Sequence, residues 1–157
     1  MKEPYSKRTD LEKLESNWTK TMGPFNRGEF SVSIVRAATA VELAANFVIR
    51  NELCTKHTLP KEFVDDLLVW ANGLNGKFTK LIIPITKGSS RGNAYKQGWE
   101  KLKKLNRERN SVAHSGEFKG QTTAVAVLND AREVIQTLVR PYRPGLKLEK
   151  IAIKNRL

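Results

Sequence analysis

The sequence predicts an all-α fold, an up-down bundle of four to five helices. Three observations carry that expectation. Four or five stretches show apolar residues at helical spacing, the connections between them are short, and one long stretch without Gly or Pro is apolar around most of its circumference. No internal repeat, heptad series or low-complexity tract interrupts the pattern. At roughly 150 residues per domain, the 157 residues are expected to form a single domain, with a short basic tail from about residue 141.

Thr9-Asp10-Leu11-Glu12 is a T-x-x-E capping box, in which Thr9 satisfies a first-turn amide and Glu12 reaches back to the Thr9 amide. It predicts a helix from about Asp10 to Thr21, with Leu11, Leu14 and Trp18 at helical spacing and Met22-Gly23-Pro24 as its stop. A second helix is predicted over Phe30–Leu53. It is rich in alanine, and a helix so widely apolar is the central one of a bundle. Its polar residues Arg36, Thr39, Glu42, Asn46 and Arg50 fall in one narrow stripe. Thr58-Leu59-Pro60 opens a third helix carrying Phe63, Leu67, Leu68 and Trp70, which Gly73-Leu74-Asn75-Gly76 stops. Leu81-Ile82-Ile83-Pro84-Ile85 reads as either a short helix interrupted at Pro84 or a brief extended piece. Lys87–Asn93 reads as a flexible basic loop. A long helix is predicted from about Ala94 to Ala113, with Gly116 just past its end. The last helix follows from Thr122 to about Arg140, ended by Pro141 and Pro144. The remaining LKLEKIAIK is either a docked tail or a small edge strand.

Charge narrows the partners. Lys and Arg number 28 against 16 Asp and Glu, a net charge of +12, which puts polyanions first. No run approaches the ~20 apolar residues that span a bilayer, so no membrane partner is expected. The opening MKEPYSKRTD has no apolar core of a secretory signal. The lone Cys54 excludes an intrachain disulfide and a Cys-based zinc cage, and it fits a reducing, cytoplasmic setting. With only His57 and His114 for imidazole ligands, neither a metal site nor a cofactor is expected.

The stretch richest in chemistry is Asn106–Gly116. Tyr95, Leu102, Leu105, Arg109 and Ala113 share one helical face, so Arg109 points the way the core residues point. An arginine there needs an anionic or hydrogen-bonding partner. Pairing with a carboxylate such as Glu42 is one reading, and snorkelling to water is another. His114 lies at the helix end, ~140° round from Arg109 if the helix stays regular. As imidazolium it complements the negative end of the helix dipole. The two side chains converge only if the last turn opens at Ser115-Gly116 or a second protomer closes the arrangement. Lys104 and Arg107 are ordinary solvated charges that could touch RNA backbone. Arg91 could too, although its loop lacks a P-loop pattern. Cys54 reads as a small buried hydrophobe and His57 as a surface residue. The tryptophans and phenylalanines sit at core spacing, without an interleaved basic-aromatic platform.

Arg109-Asn110-Ser111-Val112-Ala113-His114 matches the R-N-x-x-x-H form of the motif of HEPN domains, and the organisation around it is similar to that family. The alanine-rich Ile34–Glu42 resembles its second helix with a mid-helix acidic residue, and Thr122–Arg140 resembles the helix after the motif. The likeness covers about residues 28 to 140. It implies a HEPN-like bundle that homodimerises so that the motifs of two protomers meet in one cleft. It also implies metal-independent endoribonuclease activity on RNA, as in toxin, phage-defence and CRISPR-associated systems, with an antitoxin or defence-complex partner. On that reading Arg109 and His114 are catalytic, and Asn110 and Glu42 support them by holding Arg109 or a phosphate. Members that only bind or scaffold also exist, so a non-catalytic nucleic-acid-binding or adaptor module is the alternative. A third reading is a protein-interaction subunit with an acidic partner. Some relatives carry a tyrosine two residues after the histidine; Gly116 stands there, so a nucleotidyltransferase partner is not implied.

Overall fold

Thr9 opens the bundle as its spacing predicts. Its hydroxyl accepts the Glu12 amide at 3.2 Å while its own amide donates to the Glu12 carboxylate at 2.8 Å. In the computed structural model, which describes residues 3–153, helix α1 then runs over Asp10–Asn26. It does not stop at Met22-Gly23-Pro24. Met22 and Phe25 are buried, and Phe25 meets Phe30 edge-on at 5.5 Å, so packing carries the helix through Pro24. The stop is Gly28, in the left-handed region at φ 80°.

Helix α2, Phe30–Arg50, is the central helix, packed by α1 and by two later helices, α6 (Ser90–Ser115) and α7 (Gln121–Val139). Its buried alanines 37, 38, 40, 44 and 45 let those neighbours approach closely. It continues into a π-helical turn, Asn51–Lys56, which swings Glu52 into the interior. The continuous stretch Phe30–Lys56 is, by length and composition, apolar enough to cross a membrane, contrary to expectation. Its most apolar window has a mean hydropathy of 1.6, and 56% of that window is buried by its neighbours, as in the core helix of a bundle.

Helix α3, Lys61–Trp70, buries only Val64 and Leu68. Phe63 and Trp70 do not join the core; Trp70 is 58% exposed and lies under the Lys80 ammonium, 4.5 Å from the ring centroid. The glycines after it end α3 but do not make a loop. The chain turns at Gly73 (φ 70°) and at once enters α4, Gly73–Gly76, a π-helical turn, Lys77–Ile82, and α5, Ile83–Thr86. Leu74, Phe78, Leu81 and Ile82 are buried along it. Pro84 falls in the first turn of α5, where its missing N–H is harmless, so the Leu81–Ile85 stretch is helical.

Helix α6 occupies Ser90–Ser115, starting four residues earlier than Ala94. Only Lys87–Ser89 remains of the predicted loop. Helix α7, Gln121–Val139, packs on α2 and α6. The tail docks without forming a strand among the described residues. Trp18 Nε1 donates to the Glu149 carbonyl at 3.0 Å, Arg132 Nε to the Leu148 carbonyl at 2.9 Å, and Leu148 is buried. The fold is an all-α helical bundle.

Candidate functional site

Helix α6 positions the motif by outrunning the core it packs on. Ser89 caps its start, accepting the Gly92 amide at 3.1 Å, and Gly116 ends it in the left-handed conformation at φ 63°. Tyr95, Gly98, Trp99, Leu102 and Leu105 are buried against the bundle. Beyond Leu105 no α6 residue is buried. Arg109 and Asn110 are half-buried, and Ala113 and His114 are exposed, so the predicted core face runs out before Ala113. Ten residues at ~1.5 Å each put some 15 Å of helix past that last core leucine.

The helix stays regular through Ser115. Opening of the last turn, one of the two routes by which Arg109 and His114 could converge, therefore does not occur. Within one chain the two side chains leave the helix ~140° apart. Arg109 Nη1 donates to the Asn110 side-chain oxygen at 2.9 Å, so Asn110 holds Arg109 as expected of it. No carboxylate among the described residues lies within ion-pair distance of Arg109.

Glu42 does not reach Arg109. Its partner is Lys77, whose ammonium lies 3.7 Å from Glu42 Oε1 and also donates to the Leu68 and Ala71 carbonyls at 3.0 and 3.3 Å. Lys77 is buried, and that burial pushes its amine below the usual lysine range against the pull of Glu42. Glu42 thus faces the α3–α4 junction instead of the motif, while Arg50, two turns further along the same stripe, pairs with Asp10 and Asp65.

Arg91 also faces inward. Its guanidinium donates to Glu52 Oε1 at 2.7 Å and to the Tyr142 hydroxyl at 2.7 Å, and Tyr142 donates a short hydrogen bond to the same carboxylate. Burial and the Glu52 bond raise the Tyr142 phenol well above its ordinary value. Through Nη1, Arg91 thus ties α6 to Glu52 and to the chain after α7. Lys104 and Arg107 are exposed, as solvated charges should be.

One feature of the site carried no signal in the sequence. The loop from Gly116 to Gly120 is pinned on several sides. Lys119 Nζ pairs with Glu108 at 2.8 Å and with Glu117. Glu117 in turn accepts from the Ser111 hydroxyl at 3.1 Å, and the Lys119 amide donates to the Ser31 hydroxyl at 2.9 Å. Ser111, inside the motif, is thereby part of a clamp joining α6, the loop and the start of α2. Residues 88 apart in the chain, such as Ser31 and Lys119, share no local pattern that would announce it. No group of three or more His, Cys, Asp or Glu side chains converges on a metal position among the described residues. Compared with protein-family models, curated proteins and solved structures, the chain finds no match, so the HEPN likeness stands on the Arg109–His114 string and its helical setting alone.

Proposed function

We propose that the protein is a homodimeric, metal-independent endoribonuclease of HEPN type, with Arg109 and His114 of both protomers in one cleft. The observation that carries this reading is the overhanging end of α6: an arginine without a carboxylate partner, steadied by Asn110, and an exposed imidazole in the same two turns. The α-helical last turn keeps the two apart within a chain, so a second protomer supplies what one cannot.

The chemistry suits these groups. The 2′-hydroxyl of RNA attacks the adjacent phosphorus while one imidazole takes its proton. The bond to the 5′-oxygen breaks as the second, protonated imidazole gives that oxygen a proton. The products are a 2′,3′-cyclic phosphate and a 5′-hydroxyl. The Arg109 guanidinium forks onto the non-bridging oxygens and stabilises the phosphorane charge. One histidine per motif gives one proton-transfer group, and a two-fold pair gives two. The net +12 draws the substrate in. The reading includes a cytoplasmic toxin or phage-defence setting with an antitoxin-type partner, supported by the resemblance and by the single cysteine.

Incubation with single-stranded RNA in excess EDTA tests it. Cyclic-phosphate ends should form, and His114→Ala and Arg109→Ala should each remove them, with gel filtration showing a dimer. Intact RNA at high protein concentration, bound but uncut, would leave the nucleic-acid-binding adaptor in its place.

A further inference from the structure

Phe118 is 97% exposed, the most exposed of the large apolar side chains among the described residues, yet the residues on either side of it are tied down. Gly116 sets the turn before it, and Lys119 beside it is fixed to Glu108, Glu117 and Ser31. An apolar ring held out in water by a clamped backbone gains nothing for the fold. It is preorganised for a flat apolar partner, and it lies four residues from His114, within ~14 Å along the chain.

One shoulder of α6, the helix that ends three residues before Phe118, is cationic. Lys96, Lys103, Arg107 and His114 fall within ~40° of one another at ~100° per residue, and all four are exposed. From Lys96 to His114 the helix rises ~27 Å. Lys103 is paired with Glu100, the one carboxylate on this shoulder, whereas Lys96 and Arg107 have no carboxylate partner among the described residues. At its start the shoulder borders a surface cavity of about 400 Å³ between α5 and α6, to which Lys87, Asn93 and Lys96 contribute and no acidic residue does.

We infer that single-stranded RNA lies along this shoulder, its phosphates on Lys96, Lys103 and Arg107, and stacks a base on Phe118 beyond His114. The inference rests on the ribonuclease reading for the role of His114, and it adds two parts of the surface that holds the RNA. The length fits roughly four to five nucleotides, the low end of single-strand sites. Base stacking on an aromatic ring requires an unpaired base, which a duplex withholds. A string of cations alone would accept any polyanion; the ring at its end selects a strand with free base faces.

The test uses the full chain carrying His114→Ala, so that binding is read without cleavage, and a single-stranded RNA of about twelve nucleotides, within single-strand site sizes, containing 2-aminopurine. Phe118→Ala should weaken binding roughly five- to 150-fold and abolish the quenching of 2-aminopurine, and Phe118→Trp should restore both. Lys96→Glu with Arg107→Glu should lower the slope of log affinity against log salt by about 1.4, at ~0.7 per lost phosphate contact. A duplex of the same sequence should bind Phe118→Ala and the parent equally. Unchanged affinity and quenching in Phe118→Ala would overturn the inference. So would a Phe118→Ala protein that turns monomeric while each chain keeps its RNA affinity, which would assign the ring to a protein contact. Because all four positions are exposed, the variants should unfold at the parent's temperature. Failure of EDTA-resistant cleavage in the unmutated chain, with this binding pattern intact, would remove the ribonuclease reading and leave the RNA surface standing.

Discussion

Glu52 has its charge buried, 4% exposed, among Arg91, Tyr142 and Lys56. Burial raises its carboxyl, but the hydrogen bonds from Tyr142 and Arg91 outweigh that and hold it below the ordinary carboxylate range. A carboxylate held low in the fold stabilises it fully above its unfolded value of about 4.3 and loses that contribution as pH falls through the folded value. Glu52→Gln should therefore lower unfolding free energy by ~2–3 kcal/mol at neutral pH, since it leaves Arg91 half-paired. The variant should also lose part of the steep fall in stability below about pH 4.3. Urea denaturation across a pH series measures both, and parallel acid limbs for the two proteins would assign the fall to other carboxylates. Residues of this kind are the hardest to foresee. Thr9 and Glu12, three apart, declare their bond in the sequence, whereas Glu52 and Tyr142 are separated by 90 positions and meet only because α2, α6 and the post-α7 turn converge. Arg91 looked like a loop cation for that reason.

At the scale of elements, helices with long apolar patterns were legible and their boundaries were governed by contacts the pattern does not contain. Gly92 looked like part of a flexible linker. It lies inside α6, capped by Ser89, and must be glycine because a Cβ there would meet the Thr86 carbonyl oxygen at 2.3 Å. Gly73–Gly76 looked like a stop and is the start of the next helical run, drawn in by Leu74 and Phe78. Lys77 completes that junction, since its ammonium takes up the Leu68 and Ala71 carbonyls that the end of α3 leaves open. Lys77→Met should cost ~2–4 kcal/mol, because two buried acceptors and Glu42 lose their donor at once. Burial has lowered the Lys77 amine, so the unfolded chain binds its proton more tightly than the folded one. The parent should gain stability over the variant as pH rises towards the unfolded lysine value of about 10.4. Thermal unfolding at neutral and alkaline pH reads both effects, and equal midpoints at neutral pH would mean that water caps α3 as well as the lysine does.

For the molecule as a whole, the all-α class and the central place of α2 were legible because they depend on periodicity summed over whole helices. The site was legible only as a string. Its geometry depends on where the core ends along α6, which is a property of α2 and α7 as much as of the motif. That geometry lets the proposed dimer be tested quantitatively. If each cleft needs both His114 imidazoles, one as base and one as acid, activity counts intact pairs and not intact chains. Mixing the parent with an equal amount of His114→Ala, and allowing subunits to exchange, distributes them so that about one quarter of dimers carry two histidines. At constant total protein the rate of cyclic-phosphate formation should fall to that quarter of the parent's, and with a growing share of the variant it should follow the square of the parent fraction. A site complete within one chain would instead keep half of the parent activity at equal mixing and fall in proportion. A linear titration would place the second proton-transfer group within the same chain as His114, and the overhang of α6 would then have to meet its partner through some residue other than its symmetry mate.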